Sequence, residues 1–196
     1  MRSSTLFSVA ALLFAGSVLW MGTASPVRAQ HNDIAEAPGY VNFDDVGQWF
    51  DAPANIEVNL RGALLDLIAN SSDEAEPEFA GLMRSLQAIQ VRGFPMSGTN
   101  QEEVMRRFDD MSSRLQSGGW ERVVYIRDEA GEFVNVFMKP DNESIAGLTI
   151  MVADPSEQET IFVNIVGSIR PEEIGKIGRG LDIEPLQNVD TSAQKD

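Results

Sequence analysis

The chain has 196 residues, 43% of them apolar, with 30 acidic and 15 basic side chains, one histidine and no cysteine. Its net charge of −15 repels phosphate backbones and anionic headgroups, which argues against nucleic acid as a partner. The missing cysteines exclude thiol catalysis, thiolate metal sites and a lipidated cysteine. The one histidine, His31, cannot by itself build a Ser-His-Asp triad or a His-rich zinc site, so no metal and no cofactor are expected.

At the N-terminus Arg2 precedes the uncharged apolar run Leu6–Met21, and Val27-Arg28-Ala29 places small residues before Gln30. This is the layout of a secretory signal peptide over residues 1–29. The run is shorter than the roughly 20 apolar residues of a spanning helix; a retained anchor is the competing reading. Cleavage would remove Arg2 and Arg28, taking the net charge from −15 to −17. An exported product is expected, periplasmic or secreted, with no stable membrane anchor once the leader is gone. Residues 30–39 read as a flexible lead-in, 40–181 as a single domain and 182–196 as a mobile polar tail.

Within that domain, Tyr40–Phe50 sets aromatic residues beside the paired Asp44-Asp45. Ile56–Leu60 alternates as a half-buried strand does. Ala63–Ile68 has helical spacing, and Pro77 restarts a helix with Phe79, Leu82, Met83 and Leu86 along one side. Ile89, Val91 and Gly93 alternate with Gln90 and Arg92 into a second strand. Thr99–Gln116 predicts a helix: Thr99/Glu102 and Asn100/Glu103 both fit a capping box, and Val104, Phe108, Met111 and Leu115 form an apolar stripe. After Gly118-Gly119 the period becomes two, predicting strands at Trp120–Arg127, Phe133–Lys139, Ile145–Ala153 and Thr160–Gly167. Their short links favour antiparallel neighbours. Pro171 opens a last helix with Ile174, Ile177 and Leu181 inward. This order predicts an α+β domain: a mostly antiparallel sheet of five to six strands, helices packed on one face.

Carboxylates are the plentiful reactive groups. Glu102-Glu103 and Glu172-Glu173 suit first helical turns, where they complement the dipole, and Asp109-Asp110 suits a solvated helix face. Asp44-Asp45, among aromatics, is the candidate acidic site, with N-capping of a short helix as its structural explanation. Asp128–Glu132 and Asp141–Glu143 lack the ligand spacing of an EF-hand and read as hairpin turns.

A second pattern concerns the sheet. Phe133, Asn135 and Phe137 share one face of a strand, and Phe162, Asn164 and Val166 repeat the arrangement on another. Thr149 and Met151 fall between them, and Asn59 and Gln90 extend the stripe. Amides fix orientation and rings supply contact area, so Asn59, Gln90, Phe133, Asn135, Phe137, Phe162 and Asn164 form a candidate binding face for an extended peptide or flat ligand. The competing reading is a sheet face covered by a helix or by the lead-in. Strand register decides whether these residues meet.

Two segments, IEVNLRGALLDLIANSSDEAEPEFAGLMRSLQAIQVRGF (Ile56–Phe94) and IFVNIVGSIRPEEIGKIG (Ile161–Gly178), resemble a bacterial family of unknown function, the domain-of-unknown-function family numbered 4252. The likeness extends over roughly residues 39–181 and rests on apolar patterns with a few polar fixtures. It implies a small exported protein of one domain. Many such relatives carry a lipoprotein cysteine after the leader; this chain has none. The resemblance brings no catalytic residues.

The sequence therefore reads as an exported, non-enzymatic module binding an envelope protein or small ligand. The alternatives are a carboxylate-dependent hydrolase of envelope polymers using Asp44 or Asp45, which would need two carboxyls about 5–9.5 Å apart, and a calcium-responsive structural protein, which would need converging acidic loops.

Overall fold

Among the described residues, alternation and helical spacing become nine principal elements, in the order strand, two helices, strand, helix, four strands. A computed structural model describes residues 34–129 and 131–175; the leader and the polar tail of the sequence reading lie outside the described residues. The elements are β1 (Ile56–Arg61), α1 (Ala63–Ser72), α2 (Pro77–Ser85), β2 (Leu86–Pro95), α3 (Gln101–Ser117), β3 (Glu121–Arg127), β4 (Phe133–Asp141), β5 (Ser144–Asp154) and β6 (Glu159–Ile169). Short 3-10 turns lie at Ile34–Glu36, Val46–Trp49 and Pro171–Glu173. The helix expected after Pro171 begins as the last of these; Ile174 is buried, and Ile177 and Leu181 lie outside the described residues.

Local chemistry accounts for the boundaries. Pro77 stands at the first turn of α2, where its missing N–H costs nothing. Asn100, rather than Thr99, caps α3: its side chain accepts the Glu103 N–H at 3.2 Å. The Gly118 N–H closes the helix on the Arg114 carbonyl. The β4–β5 hairpin turns at Asn142, whose φ of 52° is tolerated by asparagine. In the β5–β6 turn, Asp154 Oδ1 accepts the Ser156 hydroxyl at 2.6 Å and the Ser156 N–H at 2.8 Å. These bonds hold its carboxyl below the ordinary aspartate range, the Ser156 hydroxyl contributing most.

The six strands form one antiparallel sheet in the order β1-β2-β6-β5-β4-β3. The domain is α+β, as its element order predicts. The placement of the helices differs from expectation, since both faces of the sheet are covered. On one face Leu65 and Ala69 of α1, with Ala80, Leu82 and Met83 of α2, pack on Ile89, Val134, Val136, Leu148, Ile150, Val163 and Ile165. On the other, Val104, Phe108, Met111 and Leu115 of α3 join Val41, Phe43, Val46, Trp49 and Phe50 over Phe133, Phe137, Met151 and Phe162. A central strand hydrophobic on both sides needs two covering layers. Phe133–Phe137 supplies such a run, all five residues being buried.

Of the expected lead-in, Gly39 packs on this second face. Gly39 is buried, and its carbonyl accepts a hydrogen bond from the Asn164 side chain. No helix among the described residues is long and apolar enough to cross a membrane.

Candidate functional site

The amide stripe meets as its pattern requires. Asn59 lies opposite Gln90, Gln90 opposite Asn164, Asn164 opposite Thr149, and Thr149 opposite Phe137. One row along, Asn135 lies opposite Met151, Met151 opposite Phe162, and Phe162 opposite Arg92.

Most of this row is interior rather than open to a ligand. Phe133, Asn135, Phe137, Phe162 and Asn164 are all 0% exposed, sealed by α3 and by residues 40–50. Their polar groups serve the fold. Asn135 Nδ2 donates to the Ser112 hydroxyl of α3 at 2.8 Å, and that hydroxyl donates to the Phe108 carbonyl at 2.7 Å. Asn164 Nδ2 reaches the Gly39 carbonyl and Thr149 Oγ1, while its Oδ1 accepts the Val41 N–H. The expectation of an open amide-aromatic face is thus corrected for these five residues. The aromatic pattern is satisfied by α3 and the N-terminal aromatics: Phe162 alone has Phe43, Trp49, Phe50, Phe94 and Phe108 around it at ring-centroid distances of 5.2–6.3 Å.

The stripe reaches solvent at its β1–β2 end. There exposed Asn59 and the largely buried Gln90 (7% exposed) line a cleft of about 360 Å³ with Tyr40, Phe43, Asp44, Arg61 and Arg92. Glu57, Asn59 and Arg61 share one face of β1 because strand side chains alternate, and Gln90 and Arg92 do the same on β2. Glu57 and Arg92 stand directly opposite, with Arg92 Nη1 and Glu57 Oε1 2.6 Å apart. The same Oε1 accepts the Asn59 amide at 3.4 Å. Arg61 has no ion pair among the described residues.

Asp44 and Asp45 do not form a working pair. Asp44 enters the cleft just described, whereas Asp45 lines a separate depression of about 310 Å³ with Gln48, Trp49, Arg107, Asp110 and Arg114. Asp45 does stand at the N-cap of the Val46–Trp49 turn, but its side chain makes no capping bond and instead accepts from Gln48 at 3.5 Å. The Gln48 N–H, one that a capping carboxylate could take, donates instead to the Asp45 backbone carbonyl at 3.1 Å, as the tight 3-10 geometry requires. Among the described residues no group of three or more acidic or histidine side chains is arranged to hold a metal ion.

The sequence profile of a family described as a domain of unknown function (DUF4252) matches residues 50–177. The chain belongs to the DUF4252 family. No curated protein and no solved structure matches it. The DUF4252 match includes Asn59, Arg61, Gln90 and Arg92 of the cleft, and begins after Tyr40, Phe43 and Asp44. Sequence reasoning picked out Asn59, Gln90 and Asp44 but missed Arg61, Arg92 and Tyr40. The signal was present: Arg61 and Arg92 fall on the same alternating faces as the two amides. An arginine on a strand ordinarily reads as a solvated surface residue, so its position carried no weight there.

Proposed function

We propose that this DUF4252 protein is an exported envelope protein that acts by binding, and that the cleft at the β1–β2 end of the sheet receives an extended, carboxylate-bearing peptide or small ligand. The reading is supported by one observation above the rest. Two guanidinium groups (Arg61, unpaired among the described residues, and the Glu57-paired Arg92) and two amides, Asn59 and Gln90, line one concave surface beside Tyr40. Guanidinium groups recognise carboxylates through paired hydrogen bonds, amides fix orientation, and the ring supplies contact area. A hydrolase reading finds less support, because Asp44 is the sole carboxylate among the residues lining this cleft.

The test is affinity capture of envelope proteins and peptides by the exported chain, quantified by mass spectrometry. A saturable ligand should lose at least about tenfold in affinity with Gln90→Ala or Tyr40→Ala, the weight of one or two interface contacts. Capture unaltered by both changes would reject the cleft as the binding site.

A further inference from the structure

We infer that β1 pairs antiparallel with β1 of a second copy of this chain, about a two-fold axis at Asn59, to give one continuous sheet of twelve strands.

Among the described residues β1 has a single neighbour, β2, so its outer row of backbone N–H and C=O groups is free to pair. Such an edge is a template for another strand unless bulges, prolines, a very short strand or charged side chains blunt it; the two charges of β1, Glu57 and Arg61, are opposite in sign and so can be matched by a partner strand. β1 pairs with β2 in unbroken register from Ile56 to Arg61 and contains neither proline nor lysine. The opposite edge, β3, is interrupted between Arg122 and Val124.

The sequence of β1, Ile-Glu-Val-Asn-Leu-Arg, is complementary to itself when reversed about Asn59. Glu57 then faces Arg61 of the second copy, Arg61 faces its Glu57, and the two Asn59 amides meet on the axis. On the other face of the sheet Val58 opposes Leu60, again twice. These pairs keep their faces, because residues equidistant from a central residue lie on the same side of the pleat. Opposite charges and apolar pairs placed directly across two strands stabilise them, and like charges there do the reverse.

The charges are disposed for this use. Arg61 has no ion pair among the described residues, and Glu57 meets Arg92 and Asn59 through Oε1. Beyond the strand, Leu64 and Leu67 of α1 are 49% and 64% exposed, which adds apolar area beside the same edge. A two-fold axis perpendicular to the sheet also brings the two clefts side by side on one face.

Sedimentation of the whole chain should give a dimer. Arg61→Glu should raise its dissociation constant at least about tenfold by setting Glu against Glu twice, whereas Arg61→Lys, which keeps a cation opposite Glu57 and leaves the Glu57–Arg92 pair intact, should change it by less than about threefold. Because the chain has no cysteine, a single substitution gives a second readout independent of charge. Under mild oxidation Asn59→Cys should yield a disulfide-linked dimer, since residues facing across an antiparallel pair lie within disulfide reach. Val123→Cys on the other edge should stay unlinked. A monomer at all concentrations, a dimer indifferent to Arg61→Glu, or equal linking at both edges would overturn the proposal. Asn59 and Arg61 also line the cleft, so ligand capture is read with Gln90→Ala and Tyr40→Ala, which leave β1 unchanged, and oligomeric state with the β1 variants.

Discussion

The backbones of Gly39 and Gly147 lie against each other: a Cβ on Gly147 would sit 2.5 Å from the Gly39 carbonyl oxygen, and one on Gly39 would overlap the Ala146 carbonyl. This contact seats Gly39 on β5, from where Val41 and Phe43 reach Asn164 and Phe162 of β6 as part of the second layer. Gly147→Ala should cost about 1–3 kcal/mol, the usual penalty of overpacking. Denaturant unfolding would measure the loss, and faster hydrogen exchange at Val41 would show that the N-terminal segment lifts first. An unchanged midpoint would show that this approach is not needed.

Asn164 reinforces the same junction as a side-chain substitute for a strand. Its Oδ1 accepts the Val41 N–H and its Nδ2 donates to the Gly39 carbonyl, both at 2.9 Å. Asn164→Leu fills similar volume but leaves those buried backbone groups unpartnered, at a cost of at least about 2 kcal/mol. A loss below about 0.5 kcal/mol in equilibrium unfolding would argue against the pairing.

The Asn135–Ser112 bond joins β4 to α3 across the second layer, and Asn135 Oδ1 has no partner. Ser112→Ala should therefore destabilise by about 1–3 kcal/mol by stranding the rest of the amide. The double change Ser112→Ala with Asn135→Leu should recover most of that loss, since removing both polar partners removes the unmet demand. Simple additivity in a double-mutant cycle would contradict this account.

Phe162 is the ring around which the second layer closes. Phe162→Ala should cost about 3–5 kcal/mol, as truncation of a fully buried aromatic does. Trp49 lies 5.7 Å from this ring by centroid, so its fluorescence should shift to the red in the same variant. A native emission maximum would mean that Trp49 is shielded by other neighbours.

The Asp154 turn supplies a pH dependence. Its carboxyl is held below the ordinary value by the Ser156 hydroxyl and by the Ser156 and Glu157 N–H groups, while desolvation opposes them. A depressed folded value means that the stabilisation is complete above the unfolded aspartate value of about 3.9 and is lost as pH falls through the folded one. Carboxyl-carbon titration by NMR should place the Asp154 midpoint below that of an exposed aspartate, and Ser156→Ala should raise it. A midpoint unmoved by Ser156→Ala would remove the hydroxyl as the main cause.

By itself the sequence determined the alternation of β1–β6, the helical stripe of Val104, Phe108, Met111 and Leu115, and the ends set by Pro77, Asn100 and Gly118. These are local properties: a period of two or 3.6 and a capping side chain are readable within a few residues. It also grouped Phe133, Asn135 and Phe137 on one face, because alternation alone requires that. Tertiary structure decided what lies above that face. α1 and α2 took one side of the sheet while α3 and Tyr40–Phe50 took the other, which buried Asn135, Asn164 and most of Gln90 and left Asn59 exposed at a rim with Arg61 and Arg92. Periodicity states which side chains point together; which of them meet water depends on long-range pairing and on the layers that each face can bury.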